Sequence, residues 1–147
     1  MQKWLIFLLL AVTAAFYVYA HPKLDFKLDA KSGIQFHKGS WNEALQVAKK
    51  EDKLIFLDIY ATWCGPCKLL KLRTFPNAEV GKLYNENFVN VSLDGEDGEG
   101  AELAQKYAIR GYPALLFIDG NGKVVAQTAG YHSPKEFIKL GNAVLEK

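Results

Sequence analysis

The chain has 147 residues, 50% apolar and 23% charged, the composition of a folded protein rather than a disordered one. Eighteen Lys and Arg face 16 Asp and Glu, and a net charge of +2 leaves no electrostatic footprint for nucleic acid. Only two cysteines occur, Cys64 and Cys67, which excludes both a disulfide-stapled miniprotein and a four-cysteine zinc site.

Lys3 precedes an apolar run from Trp4 to Ala20, broken only by Thr13. A basic start, an apolar middle and a small terminal residue describe a secretory signal peptide over residues 1–20, cleaved before His21. An uncleaved anchor is the alternative. The run lies near the lower limit of about 17 residues for a bilayer span, and Phe16, Tyr17 and Tyr19 suit an interfacial belt. The first reading makes the folded part periplasmic or secreted, and the second anchors it facing the extracytoplasmic side. Exported proteins commonly use cysteine pairs as staples. A Cys-x-x-Cys loop is too short for much chain-entropy stabilisation, so this pair reads better as chemistry.

Residues 21–35 read as an N-terminal arm, a linker or a loosely held segment, and residues 36–147 as one α/β domain. Ile34, Phe36 and Lys38-Gly39 suggest a short edge strand ending in a turn. Ser40 with Glu43 forms a capping box, and Trp41, Ala44, Leu45 and Ala48 follow at helical spacing. Leu54 to Tyr60 is a nearly continuous apolar run of strand length, the pattern of a strand buried on both faces. A helical pattern from Cys64 to Arg73 is broken at Pro76 and resumes at Val80, Leu83 and Tyr84. Phe88 to Leu93 reads as a strand, Asp94 to Gly100 as a solvated acidic loop, and Glu102 to Ala108 as a short helix. That acidic loop lacks the spacing and terminal glutamate of a calcium-binding EF-hand. Strands at Ala114–Ile118 and Val124–Gln127 flank the hairpin signal Asp119-Gly120-Asn121-Gly122, and Ser133-Pro134 with Glu136 opens a last helix. The order β-α-β-α-β-α-β-β-α implies a central mixed sheet with helices on both faces and a closing antiparallel hairpin.

Cys64 and Cys67 lie just past a buried strand and at the start of a helix. The partial positive charge of a helix N-terminus stabilises a thiolate, the nucleophilic form. Cys64, the first, is expected to be the exposed attacking thiol. Cys67, one turn later on the same face, is placed to resolve the mixed disulfide. Gly65 lets backbone approach closely, and Pro66 is tolerated in a first turn where its missing donor is not needed. A c-type haem site needs His after the second cysteine, where Lys68 stands, and His21, His37 and His132 are all remote in sequence. No metal and no cofactor are expected. Asp58, six residues before Cys64 in an apolar strand, is costly as an unpaired carboxylate. Desolvation raises its proton affinity and makes it a candidate proton acceptor for Cys67; the alternative is a strand-end aspartate satisfied by backbone donors.

Trp63-Cys64-Gly65-Pro66-Cys67 resembles the active site of the thioredoxin family, and Ala108-Ile109-Arg110-Gly111-Tyr112-Pro113 resembles the loop before that family's cis-proline. The similarity covers roughly residues 36–147. It implies the thioredoxin fold, a cis Pro113 packed against the cysteine pair, and a substrate lying across Trp63 and Gly111-Tyr112-Pro113 as an added strand. It also implies the proton-accepting role at Asp58. Two departures stand out: Asn90 replaces a buried lysine of classical thioredoxins, and Tyr112 replaces a smaller residue. Thr74-Phe75-Pro76-Asn77 is more similar to exported thioredoxin-like reductases. The expected function is therefore extracytoplasmic dithiol exchange in the reducing direction, by a monomer acting on disulfide-bearing proteins and re-reduced by a membrane thiol donor. An oxidase or isomerase, and a redox-inactive binding module, are the alternatives.

Overall fold

The computed structural model describes residues 2–20, 24–26 and 29–146. Its elements run in chain order as α1 (Gln2–Ala20), α2 (Trp41–Glu51), β1 (Leu54–Tyr60) and α3 (Gly65–Leu69), the last continuing into a π-helical turn at Leu70–Thr74. Then come α4 (Ala78–Asn87), β2 (Phe88–Asp94), α5 (Gly98–Lys106), β3 (Ala114–Ile118), β4 (Val124–Ala129) and α6 (Pro134–Leu145). Among the described residues, no helix is long and apolar enough to cross a membrane. The expected cleavage point and the start of the arm, residues 21–23, lie outside the described residues.

The sheet has four strands in the order β2-β1-β3-β4. β1 runs parallel to β2 and antiparallel to β3, and β3 pairs antiparallel with β4 through the predicted hairpin. Side chains alternate along β1, so its two faces feed two cores. Ile55, Leu57 and Ile59 pack with Trp41, Ala44 and Ala48 of α2 and Leu103 of α5. Phe56 faces the other way, its ring 5.1–6.2 Å from those of Phe75, Tyr84, Phe117 and Phe137. Asp58 and Tyr60 share that second face by the same alternation. Both capping boxes form, Ser40 with Glu43 and Ser133 with Glu136.

Three expectations are corrected. Residues 34–38 are extended but form no strand: Ile34 N–H donates to the Phe75 carbonyl and His37 N–H to that of Asn90, isolated bonds too few for a ladder. The acidic loop is shorter than expected, because β2 runs to Asp94 and α5 begins at Gly98 rather than Glu102. The described part of the arm is not loosely held. Phe26 is buried and stacks on Tyr60 with centroids 4.3 Å apart, and Asp29 accepts from Phe36 N–H and pairs with Lys38 at 2.8 Å. Further on, Gly33 and Gly81 allow residues 32–33 to lie directly on α4, where a Cβ at either position would collide with backbone.

Candidate active site

β1 ends at Tyr60 and the chain turns through Ala61 to Trp63 before α3 begins, with Cys64 as the N-cap residue. Pro66 stands in the first turn, where an amide donor has no helical partner. Cys64 and Cys67 form a disulfide with Cα atoms 5.3 Å apart, and Cys67 N–H donates to Cys64 Sγ at 3.2 Å. That donor aims at the sulfur that becomes a thiolate when the bond is opened.

Cys64 is 3% exposed and Cys67 2% exposed, so the first cysteine is not the open thiol expected from sequence. Leu24, Phe26, Tyr60, Ala61 and Tyr112 pack around the pair. The polar face of the site lies beside it. Trp63 is 66% exposed, its indole N–H donates to Glu96 Oε2 at 3.0 Å, and its ring meets that of Tyr112 edge to face. Tyr112 is tethered in turn, its hydroxyl donating to the Gly95 carbonyl at 3.0 Å. The short acidic loop thus positions both aromatic residues. The Tyr112–Pro113 peptide bond is cis. A side chain at Gly65 or at Gly111 would meet nothing within 4 Å, so there is open space at both glycines.

Asp58 is buried in β1, six residues before Cys64, and the hydroxyl of Ser92 donates to its Oδ2 at 2.8 Å. Burial pushes its carboxyl up to about 7, while the Ser92 hydrogen bond and the Lys71 charge pull the other way. A carboxyl placed there exchanges protons near neutral pH. Tyr60 is pushed up to about 12 by burial and by surrounding acids, so it stays neutral. The Asn90 amide donates to the Tyr84 carbonyl and to Asn85 Oδ1, fastening the end of α4, rather than to Asp58.

The fold therefore gathers Asp58, Trp63, Cys64, Gly65, Pro66, Cys67, Gly111, Tyr112 and Pro113 at one end of the sheet, at the C-terminal end of β1 and the N-terminal end of β3. Four neighbours escaped sequence reasoning: Phe26, Lys71, Ser92 and Glu96. Lys71 lies in the π-helical turn just after the cysteines.

Residues 41–145 match the model of the thioredoxin-like domain. The chain belongs to the thioredoxin-like family. It is 34% identical over 99 residues to the thiol:disulfide interchange protein DsbD of Colwellia psychrerythraea, a match covering 65% of this chain and 16% of that much longer relative. The solution structure of a Bacteroides thetaiotaomicron protein, provisionally assigned as a disulphide-isomerase, superposes with a TM-score of 0.69. That protein is 42% identical, over 82% of this chain and 98% of the other. The C-terminal domain of Neisseria meningitidis DsbD in its oxidised form gives a TM-score of 0.60 at 25% identity, over 75% and 97% of the two chains. With its Cys64–Cys67 disulfide, this thioredoxin-like protein is a thiol–disulfide oxidoreductase.

Proposed function

We propose that this thioredoxin-like protein is an extracytoplasmic reductase of protein disulfides, working through Cys64 and Cys67 with Asp58 as proton acceptor. The observation that carries the reading is the buried Cys64–Cys67 disulfide just beyond β1, the strand that also holds the buried carboxyl of Asp58. The substrate-binding face of this reading is built from Trp63, Gly65, Pro66, Gly111, Tyr112 and Pro113. Export is supported by the Trp4–Ala20 apolar run behind Lys3, and the reducing direction by Gly65-Pro66, the dipeptide of reducing relatives.

The Cys64 thiolate attacks one sulfur of the substrate disulfide, forming a mixed disulfide and releasing the other substrate sulfur as a thiolate. Cys67 then gives its proton to the Asp58 carboxylate. The resulting Cys67 thiolate attacks Cys64 Sγ, the Cys64–Cys67 bond forms, and the second substrate sulfur leaves as a thiolate. Two electrons pass from the dithiol to the substrate; Asp58 passes the Cys67 proton on to one departing thiolate and is again a carboxylate, and the other substrate thiolate is protonated by water. The oxidised protein needs a thiol donor to restore it. An oxidising compartment does not supply one by itself, which implies a membrane thiol carrier as partner.

Trapping tests this. A Cys67→Ala variant in its native compartment should accumulate mixed disulfides through Cys64 with exported proteins and with a membrane thiol donor. Absence of any such adduct would remove the proposal. The 42% identical Bacteroides structure favours a second reading, isomerisation or oxidation. Equilibration with glutathione separates the two. A reduction potential around −270 mV fits a reductase, and one around −120 mV fits an oxidant.

A further inference from the structure

Thiol–disulfide exchange needs access to a sulfur, yet both cysteines of this site are buried. Some of the side chains packed with them are fixtures of the domain. Tyr60 ends β1 and Ala61 follows it, while Tyr112 is held by the bond from its hydroxyl to the Gly95 carbonyl at 3.0 Å. Leu24 and Phe26 differ, because they come from the arm and lie in no helix or strand. They can leave the cluster without breaking either. The Phe26 ring lies face to face on that of Tyr60, with centroids 4.3 Å apart and planes 9° from parallel.

The arm is fastened at Asp29, whose Oδ2 accepts the Phe36 N–H at 3.1 Å and meets Lys38 Nζ at 2.8 Å. Two cavities border the segment that carries Phe26. One, of about 220 Å³, has Leu24, Asp25 and Asp29 facing Phe75 and Pro76. The other, of about 370 Å³, has Phe26 and Asp29 in its wall together with Tyr60 and Ser92. Filled protein interiors leave few voids larger than a water molecule. The arm is therefore pinned by specific contacts over space that the domain does not fill, and a segment held in this way opens more readily than the core beneath it. We propose that Phe26 is an autoinhibitory cover of the redox pair: seated on Tyr60 it closes Cys64, and a disulfide reaches Cys64 by displacing it while Asp29 keeps the arm attached. This rests on the reading of Cys64 as the attacking thiol.

The full chain carrying Cys67→Ala and treated with oxidised glutathione reports on both steps. The Cys64 thiolate attacks one glutathione sulfur, the Cys64–glutathione bond forms, and the second glutathione leaves as a thiolate. Nuclear Overhauser contacts between the Phe26 and Tyr60 rings should be present before the reaction and lost in the adduct. Adding Phe26→Ala should raise the rate of adduct formation several-fold, because a chain reacts in proportion to its open fraction. Phe26→Tyr, which keeps the ring, should react at the rate of the parent variant. These rates are compared at a pH above the Cys64 titration, so that a shifted thiol does not imitate an opened cover. The β1 amides should stay as protected from hydrogen exchange as in the parent; a gain in rate that tracks their loss of protection is unfolding, and it overturns the proposal. An adduct that forms with the ring contacts intact, or at a rate indifferent to Phe26→Ala, also overturns it and leaves Cys64 as the attacking thiol. If no adduct forms at Cys64, the attacking-thiol reading fails and the cover fails with it.

Discussion

Ser92 donates its hydroxyl hydrogen to Asp58 Oδ2 at 2.8 Å, directly across the parallel pairing of β2 with β1. The register places the two residues opposite each other, so the bond is built into the sheet rather than into a loop. It satisfies one oxygen of a carboxyl whose other oxygen has no hydrogen-bond partner among the described residues. The balance between burial and this bond decides when Asp58 is ionised.

Ser92→Ala should therefore push the Asp58 titration further up. The hydrogen bond is to a charged acceptor and is worth about 1.5 kcal/mol, or roughly one pH unit. The acid limb of insulin reduction should shift to higher pH by that amount, with the Cys64–Cys67 disulfide still forming. A pH–rate profile of the variant checks this.

Stability should carry the same signature. Folding raises the Asp58 carboxyl from 3.8 to about 7, so between those values the folded state holds a proton that the unfolded chain has lost. The stability associated with this group is complete below 3.8 and is lost as the pH rises through about 7. Asp58→Asn should be more stable than the wild type at pH 8 by on the order of 4 kcal/mol, less any reorganisation, and this advantage should vanish below pH 4. Urea unfolding at pH 4 and pH 8 measures it.

Phe26 stacks on Tyr60 and belongs to the cluster that buries both cysteines. Phe26→Ala should speed alkylation of Cys64 in the reduced protein several-fold, while the hydrophobic core on the Phe56 face stays intact. Timed iodoacetamide labelling followed by peptide mass mapping reads the effect at Cys64 alone.

Glu96 accepts the indole N–H of Trp63 from a loop that carries no cysteine and no core residue. Glu96→Ala should free the Trp63 ring without unfolding the chain, since the bond is exposed and worth about 1 kcal/mol. A higher KM for a protein disulfide, with kcat little changed, is the expected result. Steady-state insulin kinetics would show it.

Local rules made much of the fold legible. The unbroken run from Leu54 to Tyr60 announced a strand covered on both faces, and each capping box was visible as a serine followed three residues later by glutamate. The turn at Asp119 to Gly122 formed as its composition implied, with Asp119 N–H donating to the Lys123 carbonyl. What stayed hidden depends on partners distant in sequence. Nothing near Phe26 foretells a stack on Tyr60, and nothing near Glu96 foretells Trp63, 33 residues earlier. The extended segment 34–38 has the composition of a strand but only isolated backbone partners at Phe75 and Asn90. Similarly, a buried acid was readable at Asp58, whereas its hydrogen-bond donor was not, because Ser92 meets it only through the pairing of β2 with β1.

The central claim is dithiol exchange initiated at Cys64, and dithiothreitol-driven reduction of insulin disulfides tests it most directly. The wild-type chain should accelerate the reaction, and Cys64→Ser should reduce the rate to that of dithiothreitol alone. Reduction that survives Cys64→Ser at the wild-type rate would contradict the account.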